Sequence, residues 1–443
     1  MNKEYILNHI EDLTAQQLFE FINQGIVALD DLRTTGNLDA SKRKAIVTLQ
    51  AQHAHEDDHA WNIAHNTEQG CRDYLTTYPT GKHVAEAGSQ IDNFERQRIQ
   101  EQEEKQEILN KVRRSPNSFT PGMLQKHLNE KTINRSDLAN AGIPNEILDR
   151  LNNIKSPILT LGDTPDSIPD GYTEVYFWGI IGSGKTCALA AVLSTAEKMG
   201  YLEIAQGPGY NYMLNLKNIF SHKISFLPGR SPVDTTQYLP FTLKKPEDKF
   251  SRSISLIELS GEIFQCFLYK NANKPLPSTQ HENTFNSLIR FLNGNNRKIH
   301  FFFVDYDKEN NVDNDGYTQA DYLNAAATFF NDRHNNLFSR TTDAIYIVIT
   351  KSDLMDCDKK ERVNQVSDYL QNNRYTAFVN SLRTKCRDNS INAKRILGTP
   401  FALGKVYFKQ MCVFDDETSQ NIIDILMRRI APKKQSILDV FNK

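Results

Sequence analysis

The sequence predicts an α/β fold, a mostly parallel sheet flanked by helices, preceded by an all-α N-terminal region. Residues 1–153 are poor in Gly and Pro and place apolar residues three and four apart, as in Tyr5, Ile6, Ile10 and Leu13, with nothing strand-like before about residue 173. Beyond that point β-branched and aromatic runs appear: EVYFWGI, SISLIELS, KIHFFFVDYD and DAIYIVIT. The first of them leads into GIIGSGKT (179–186) and then the Ala/Leu-rich TCALAAVLSTAEKMG, so a glycine-rich turn joins a buried strand to a helix closed by Gly200.

Taken in order, residues 1–50 and 108–153 read as two copies of one helical module. Val27, Asp31, Leu32 and Gly36 fall on Ile133, Asp137, Leu138 and Gly142 at a constant offset of 106 residues. Residues 51–107 hold two amphipathic helices broken at YPTGKH, where Pro79 and Gly81 supply a turn, and the start of the charged run DNFERQRIQEQEEKQEILNKVRR (92–114), a solvated helix by composition. The stretch 60–91 resembles TPR-like helical hairpins with a Y-L-x-x-Y-P-x-G-x-x-x-x-x-A signature. That resemblance implies either a surface for partner proteins or a spacer between domains. Residues 154–172, rich in Pro and Gly, are the expected linker, and 173–443 the nucleotide domain.

Length, charge and cysteine usage narrow the class. A chain of 443 residues with 39% hydrophobic content builds ordinary cores, and a net charge of −2 gives no basic field for nucleic acid. The N-terminus has no secretory h-region, and no apolar run approaches the about 20 residues of a membrane span. Six cysteines without a C-x-x-C pair fit reduced thiols, so the expected location is cytoplasmic.

GIIGSGKT satisfies G-x-x-x-x-G-K-[ST] at each fixed position, in the strand–turn–helix context that the motif needs. Backbone N–H groups and a helix N-terminus there cradle phosphates. Gly179, Gly182 and Gly184 allow close approach, Lys185 bridges the outer phosphates, and the Thr186 hydroxyl ligates Mg²⁺; Ser183 and Cys187 complete the nucleotide-contacting stretch. Downstream, ELSGE (258–262) resembles the D-x-x-G element of GTPases. The resemblance implies Glu258 near the metal, Gly261 sensing the terminal phosphate and Glu262 orienting the attacking water. Asp305, at the end of the next strand, competes with Glu258 for the metal-proximal role.

Thr350-Lys351-Ser352-Asp353 resembles [NT]-K-x-D, in which the lysine stem lies along the base and Asp353 accepts from guanine N1–H and the 2-amino group; adenine would leave a buried carboxylate unpaired at a cost of about 1–3 kcal/mol. Ala402 and Leu403 stand where GTPases carry a weak base-contacting loop, and RILGTPFALGKVYF (395–408) reads as the final strand. Between the glycine-rich turn and Glu258, Thr235 and Thr236 are the candidate switch threonines on the metal, and Arg230 is a candidate arginine finger in cis.

The order of these elements resembles the Ras-like P-loop GTPases of the translation-factor-related superclass. VYFWGIIGSGKTCALAAVL and ELSGE are closest to double-GTPase-type families of bacterial conflict and signalling operons. The resemblance implies a GTP/GDP- and Mg²⁺-dependent, slowly hydrolysing switch in which GTP orders 226–243 and 258–265, with protein partners docking on the helical region and a nucleotide-dependent oligomer left open. Two rivals stand beside it: a regulatory ATPase or nucleotide kinase with Asp305 as the Walker B acid, and a nucleotide-binding scaffold with little hydrolysis. HEDDH (55–59) also fits H-E-x-x-H, with His53 and His65 as extra ligands. Zincin helices carry uncharged residues where this one has two Asp, so a wet, acidic helix face is the expected reading.

Overall fold

The computed structural model describes residues 2–151, 159, 165–207, 209–229, 236–331, 337–338, 341–372, 374–388 and 396–430. The chain divides into two compact units, Met1–Asn110 and Lys111–Lys443. The first contains α1 (Lys3–Asn8), α2 (Ala15–Asn23), α3 (Leu29–Thr34), α4 (Ala40–Ala64), α5 (Glu68–Thr77) and most of α6 (Val84–Arg114). Ile6, Ile10, Leu18, Val27, Leu32 and Ile46 form one core, and Trp61, Cys71, Tyr74, Ala87 and Ile91 a second. Residues 96–104 of α6 are exposed, as the charged run implies.

The HEDDH segment lies on α4, and its expected wet face is corrected at one position. Asp57 is only 4% exposed. Its carboxylate accepts the Tyr74 hydroxyl and, at 2.8 Å, the Lys82 N–H, while the His83 N–H donates to the Tyr74 oxygen at 3.2 Å. Asp57 is thus the anchor of the YPTGKH turn. A Cβ on Gly81 would lie 2.5 Å from the Tyr74 hydroxyl and 3.0 Å from Asp57 Oδ1, which is why the turn needs glycine. His55, Glu56 and His59 are exposed, and among the described residues no three His, Cys, Asp or Glu side chains gather to hold a metal.

In the second unit, α7 (Pro121–Asn129), α8 (Arg135–Asn140) and α9 (Asn145–Leu148) precede the sheet. The 106-residue offset extends well past the four matched pairs. Thr14 and Thr120 are the N-caps of α2 and α7, Leu18 and Leu124 are fully buried, and α3 and α8 each start with a capping carboxylate, Asp31 and Asp137, accepting a backbone N–H at 2.9 Å. Gly36 and Gly142 both have positive φ. The second copy belongs to the same compact unit as the sheet: Arg150 donates to the Ile224 carbonyl at 3.3 Å and Lys409 N–H to Asn117 at 3.0 Å. The division of the chain therefore falls within α6 rather than in the Pro/Gly-rich 154–172 stretch, because these contacts cross that stretch.

The remaining strands are β1 (Thr173–Trp178), β2 (Leu202–Ile204), β3 (Ile224–Phe226), β4 (Gln237–Leu243), β5 (Arg252–Glu258), β6 (Arg297–Asp305), β7 (Thr342–Thr350), β8 (Leu397–Phe401), β9 (Gly404–Tyr407) and β10 (Met411–Phe414). The remaining helices are α10 (Lys185–Lys198), α11 (Tyr210–Ile219), α12 (Gly261–Asn271), α13 (Thr279–Leu292), α14 (Gln319–Asn331), α15 (Arg362–Asn372), α16 (Thr376–Asp388) and α17 (Glu417–Arg429). Seven strands form a mostly parallel sheet in the order β2-β4-β5-β1-β6-β7-β8, in which β4 runs antiparallel to both neighbours. Strand alternation sends Tyr176, Trp178, Phe302 and Val304 to a core shared with α12, α13, α14 and α16, and Val175, Phe177, Phe301 and Phe303 to one shared with α10, α11 and α17.

The expected final strand is two. Its first part, β8, pairs with β7, whereas after Ala402 and Leu403 the chain turns at Gly404 (φ +93°) and β9 joins a separate antiparallel sheet, β3-β10-β9. No described helix is long and apolar enough to cross a membrane.

Candidate functional site

The carboxyl ends of β1, β5, β6, β7 and β8 share one edge of the sheet, the edge at which open α/β sheets hold ligands. The loop 179–184 leaves β1 there and opens α10. Gly184, the residue before α10, has φ +87°, and its bare Cα faces Thr350: a Cβ would stand 3.3 Å from that side chain. Thr350 donates its hydroxyl to the Ser183 carbonyl at 3.0 Å, and the Ser183 hydroxyl donates to Ile180 O at 2.8 Å. The T-K-S-D segment thereby braces the glycine-rich loop directly.

Lys185 is buried, and its ammonium donates to the carbonyls of Gly179 (2.7 Å) and Ile180 (3.0 Å). Burial pulls its pKa down to about 7, against the pull of Glu258 in the other direction. Thr186 donates its hydroxyl to Glu258 Oε1, and Tyr212 of α11 donates to Oε2 at 2.6 Å. Glu258 is 3% exposed, and burial raises its carboxyl pKa in spite of these two donors and the Lys185 charge. Of the two candidate acids, Glu258 is the one on Thr186. Asp305 is tied instead to the T-K-S-D segment, with Lys351 Nζ 3.0 Å from its Oδ2 and 2.9 Å from Asp307.

Linkage fixes the sign of a pH effect. Between about pH 7 and the ordinary lysine value of 10.5, folded Lys185 is neutral while the unfolded chain keeps its proton, so stability contributed by this group rises with pH. In ligand-free protein, urea midpoints taken at about pH 7 and about pH 9 are expected to show that rise, and Lys185→Met to remove it.

Gly261 begins α12 in contact with the loop: a Cβ there would sit 2.2 Å from Ile181 N and 2.5 Å from Ile181 Cα. Glu262 lies 3.7 Å from His281 Nε2 on α13. The expectation that GTP orders 226–243 and 258–265 is corrected for most of both: Gln237–Leu243 is already strand β4 with Leu239, Phe241 and Leu243 in the core, and residues 261–265 are already helical with Ile263 and Phe264 buried. Thr236 is buried just before β4, whose first residue, Gln237, pairs with Glu258; Arg230 and Thr235 lie outside the described residues.

One base-site expectation also changes. Asp353 is exposed rather than buried, so any desolvation cost for a wrong base arises only once a base covers it. The N–H of Ala402 donates to the Thr418 hydroxyl at 3.1 Å, so the 402–403 loop is tied to α17. Lys351 has φ +54° and directs its ammonium to Asp305 and Asp307. Cys187 is partly buried and its thiol is pushed up to about 12 by burial, as a space-filling residue would be.

Two residues of the site escape motif reasoning. Tyr212 lies in GPGYNYM, a stretch that reads as plain packing, yet its hydroxyl holds Glu258. Lys308, three residues past Asp305, donates to the Ile181 carbonyl at 2.8 Å. An aromatic near a glycine-rich turn is the only sequence signal for the first, and a lysine just beyond a strand end the only one for the second. No protein-family model matches the chain and no curated protein matches it, so the chemistry of these residues alone bears on function.

Proposed function

We propose that the chain is a GTP-binding, Mg²⁺-dependent switch of the Ras-like P-loop class that hydrolyses slowly, with a helical N-terminal region that docks partner proteins. The contact of the Thr186 hydroxyl with the Glu258 carboxylate carries this reading, because it joins the motif hydroxyl to an acid on β5, the strand directly beside β1. The pair is a set of hard oxygen donors, which fits Mg²⁺, an ion that takes one or two protein oxygens and completes its shell with phosphate and water. Mg²⁺ held by Thr186 and Glu258 would neutralise charge on the phosphate oxygens.

The strand order supports the same class: antiparallel β4, then β5, β1, β6, β7 and β8, with the T-K-S-D segment at the end of β7. In this reading the loop N–H groups and Lys185 hold the phosphates, Asp353 reads guanine, and Glu262 turns from His281 toward the attacking water. Ile263 and Phe264 are fixed in one core and Leu239, Phe241 and Leu243 of β4 in the other, so in this reading no ordering transition falls in either stretch. The engagement of Asp305 by Lys351 weighs against the ATPase reading in which Asp305 is the Walker B acid.

A nucleotide-affinity panel tests this. The protein is expected to bind GTP and GDP in preference to ATP and only with Mg²⁺ at full affinity, and Asp353→Ala is expected to weaken guanine binding on the order of tenfold or more. Equal affinity for ATP and GTP, or an unaltered Asp353→Ala, would refute the guanine assignment.

A further inference from the structure

Lys308 closes a turn held on three sides. The Asp305 N–H donates to Gln319 Oε1 at 2.8 Å and Gln319 Nε2 donates back to the Asp305 carbonyl at 3.1 Å. The Asp305 carboxylate accepts the Asp307 N–H at 3.1 Å, and Lys351 holds the Asp307 carboxylate. From this braced turn the Lys308 side chain reaches across to the glycine-rich loop. Its ammonium meets Ile181 O, and a Cβ on Gly182 would stand 2.7 Å from Lys308 Nζ. Three successive carbonyls, at 179, 180 and 181, therefore receive two ammonium groups, Lys185 on the first two and Lys308 on the third.

We infer that Lys308 is a second phosphate-binding cation of the loop, placed to neutralise the terminal phosphate of a bound triphosphate. The inference rests on the reading of the loop as a polyphosphate site and not on the choice of base. Phosphate oxygens are stronger partners for ammonium than carbonyls are. Lys185 enters from the start of α10, whereas Lys308 reaches the loop from the turn after β6, at Ile181 and Gly182. The chain thus carries within itself a cation of the kind that other phosphoryl-transfer proteins obtain from an arginine finger.

The test compares Lys308→Gln, which keeps a hydrogen-bond donor and removes the charge, with Lys308→Arg, which keeps both. Calorimetric titrations with Mg²⁺ use a non-hydrolysable GTP analogue, GDP and inorganic tripolyphosphate, with the ATP counterpart as a base control. Lys308→Gln is expected to weaken the triphosphate ligands on the order of tenfold and GDP by less than about twofold, and Lys308→Arg to stay within about twofold of the parent protein. A Lys308→Gln variant that binds every ligand normally, or that loses diphosphate and triphosphate equally as a mere loop strut would, overturns the inference. Equal binding of the ATP and GTP analogues by the parent, with the Lys308→Gln triphosphate loss intact, refutes the guanine reading and supports this one. Failure of the parent protein to bind any of these ligands overturns both.

Discussion

Gly261→Ala is expected to abolish nucleotide binding and to destabilise the Lys111–Lys443 unit by about 3 kcal/mol. The new methyl group would fall 2.2 Å from Ile181 N, 2.5 Å from Ile181 Cα and 2.6 Å from Ile180 C. All three are backbone atoms, so no rotamer change can make room. Either α12 withdraws, and takes Ile263 and Phe264 out of the core, or the loop shifts and breaks the bonds that Lys185 makes to the carbonyls of Gly179 and Ile180. The comparison variant is Gly88→Ala on α6, where a Cβ meets nothing within 4 Å; there a helix-interior glycine is replaced at no steric cost, and stability should rise by about 0.5–1 kcal/mol. Urea titration and GTP-analogue binding on both variants check this, and normal binding by Gly261→Ala would show that the loop and α12 are not in contact.

Asp57→Ala is expected to unfold the hairpin around α5 at a cost of about 3 kcal/mol while nucleotide binding continues. The carboxylate is the shared acceptor of the Tyr74 hydroxyl and the Lys82 N–H, and its loss strands two donors around a buried turn. Burial and the neighbouring Asp57 already push the Tyr74 hydroxyl up to about 12, so that group stays a donor throughout the physiological range. Asp58 makes a useful contrast: its bonds to His83 and Lys82 are half-exposed, and Asp58→Ala should leave the hairpin folded. Limited proteolysis and the thermal transition of the N-terminal unit report the difference, and equal behaviour of the two variants would remove Asp57 from its anchoring role.

What could be read from the sequence depended on whether a residue belonged to a pattern. Strands β1, β5, β6 and β7 are long apolar runs whose burial on both faces leaves no alternation to misread, and their ends delivered Glu258, Asp305 and Thr350 to one edge as the runs implied. The three-residue strands β2 and β3 are too short to carry a period. The break between β8 and β9 was hidden because Ala402 and Leu403 are apolar, and only the positive φ at Gly404 turns the chain away. Glu258 and Asp305 are equivalent as letters; sheet pairing and the reach of Thr186 and Lys351 separate them. Tyr212 and Lys308 lie in no motif, and their roles follow from how α11 and the turn after β6 fold back on the loop.

The paired modules turn the chain into its own reference standard. The Thr caps, the buried Leu, the capping Asp and the terminal Gly are held at one spacing in both copies, so those positions are committed to making the module. Where the copies disagree on exposed positions, folding exerts no claim. One copy belongs to the N-terminal unit and the other to the unit that carries the glycine-rich loop, so these divergent positions are where each module has been free to specialise.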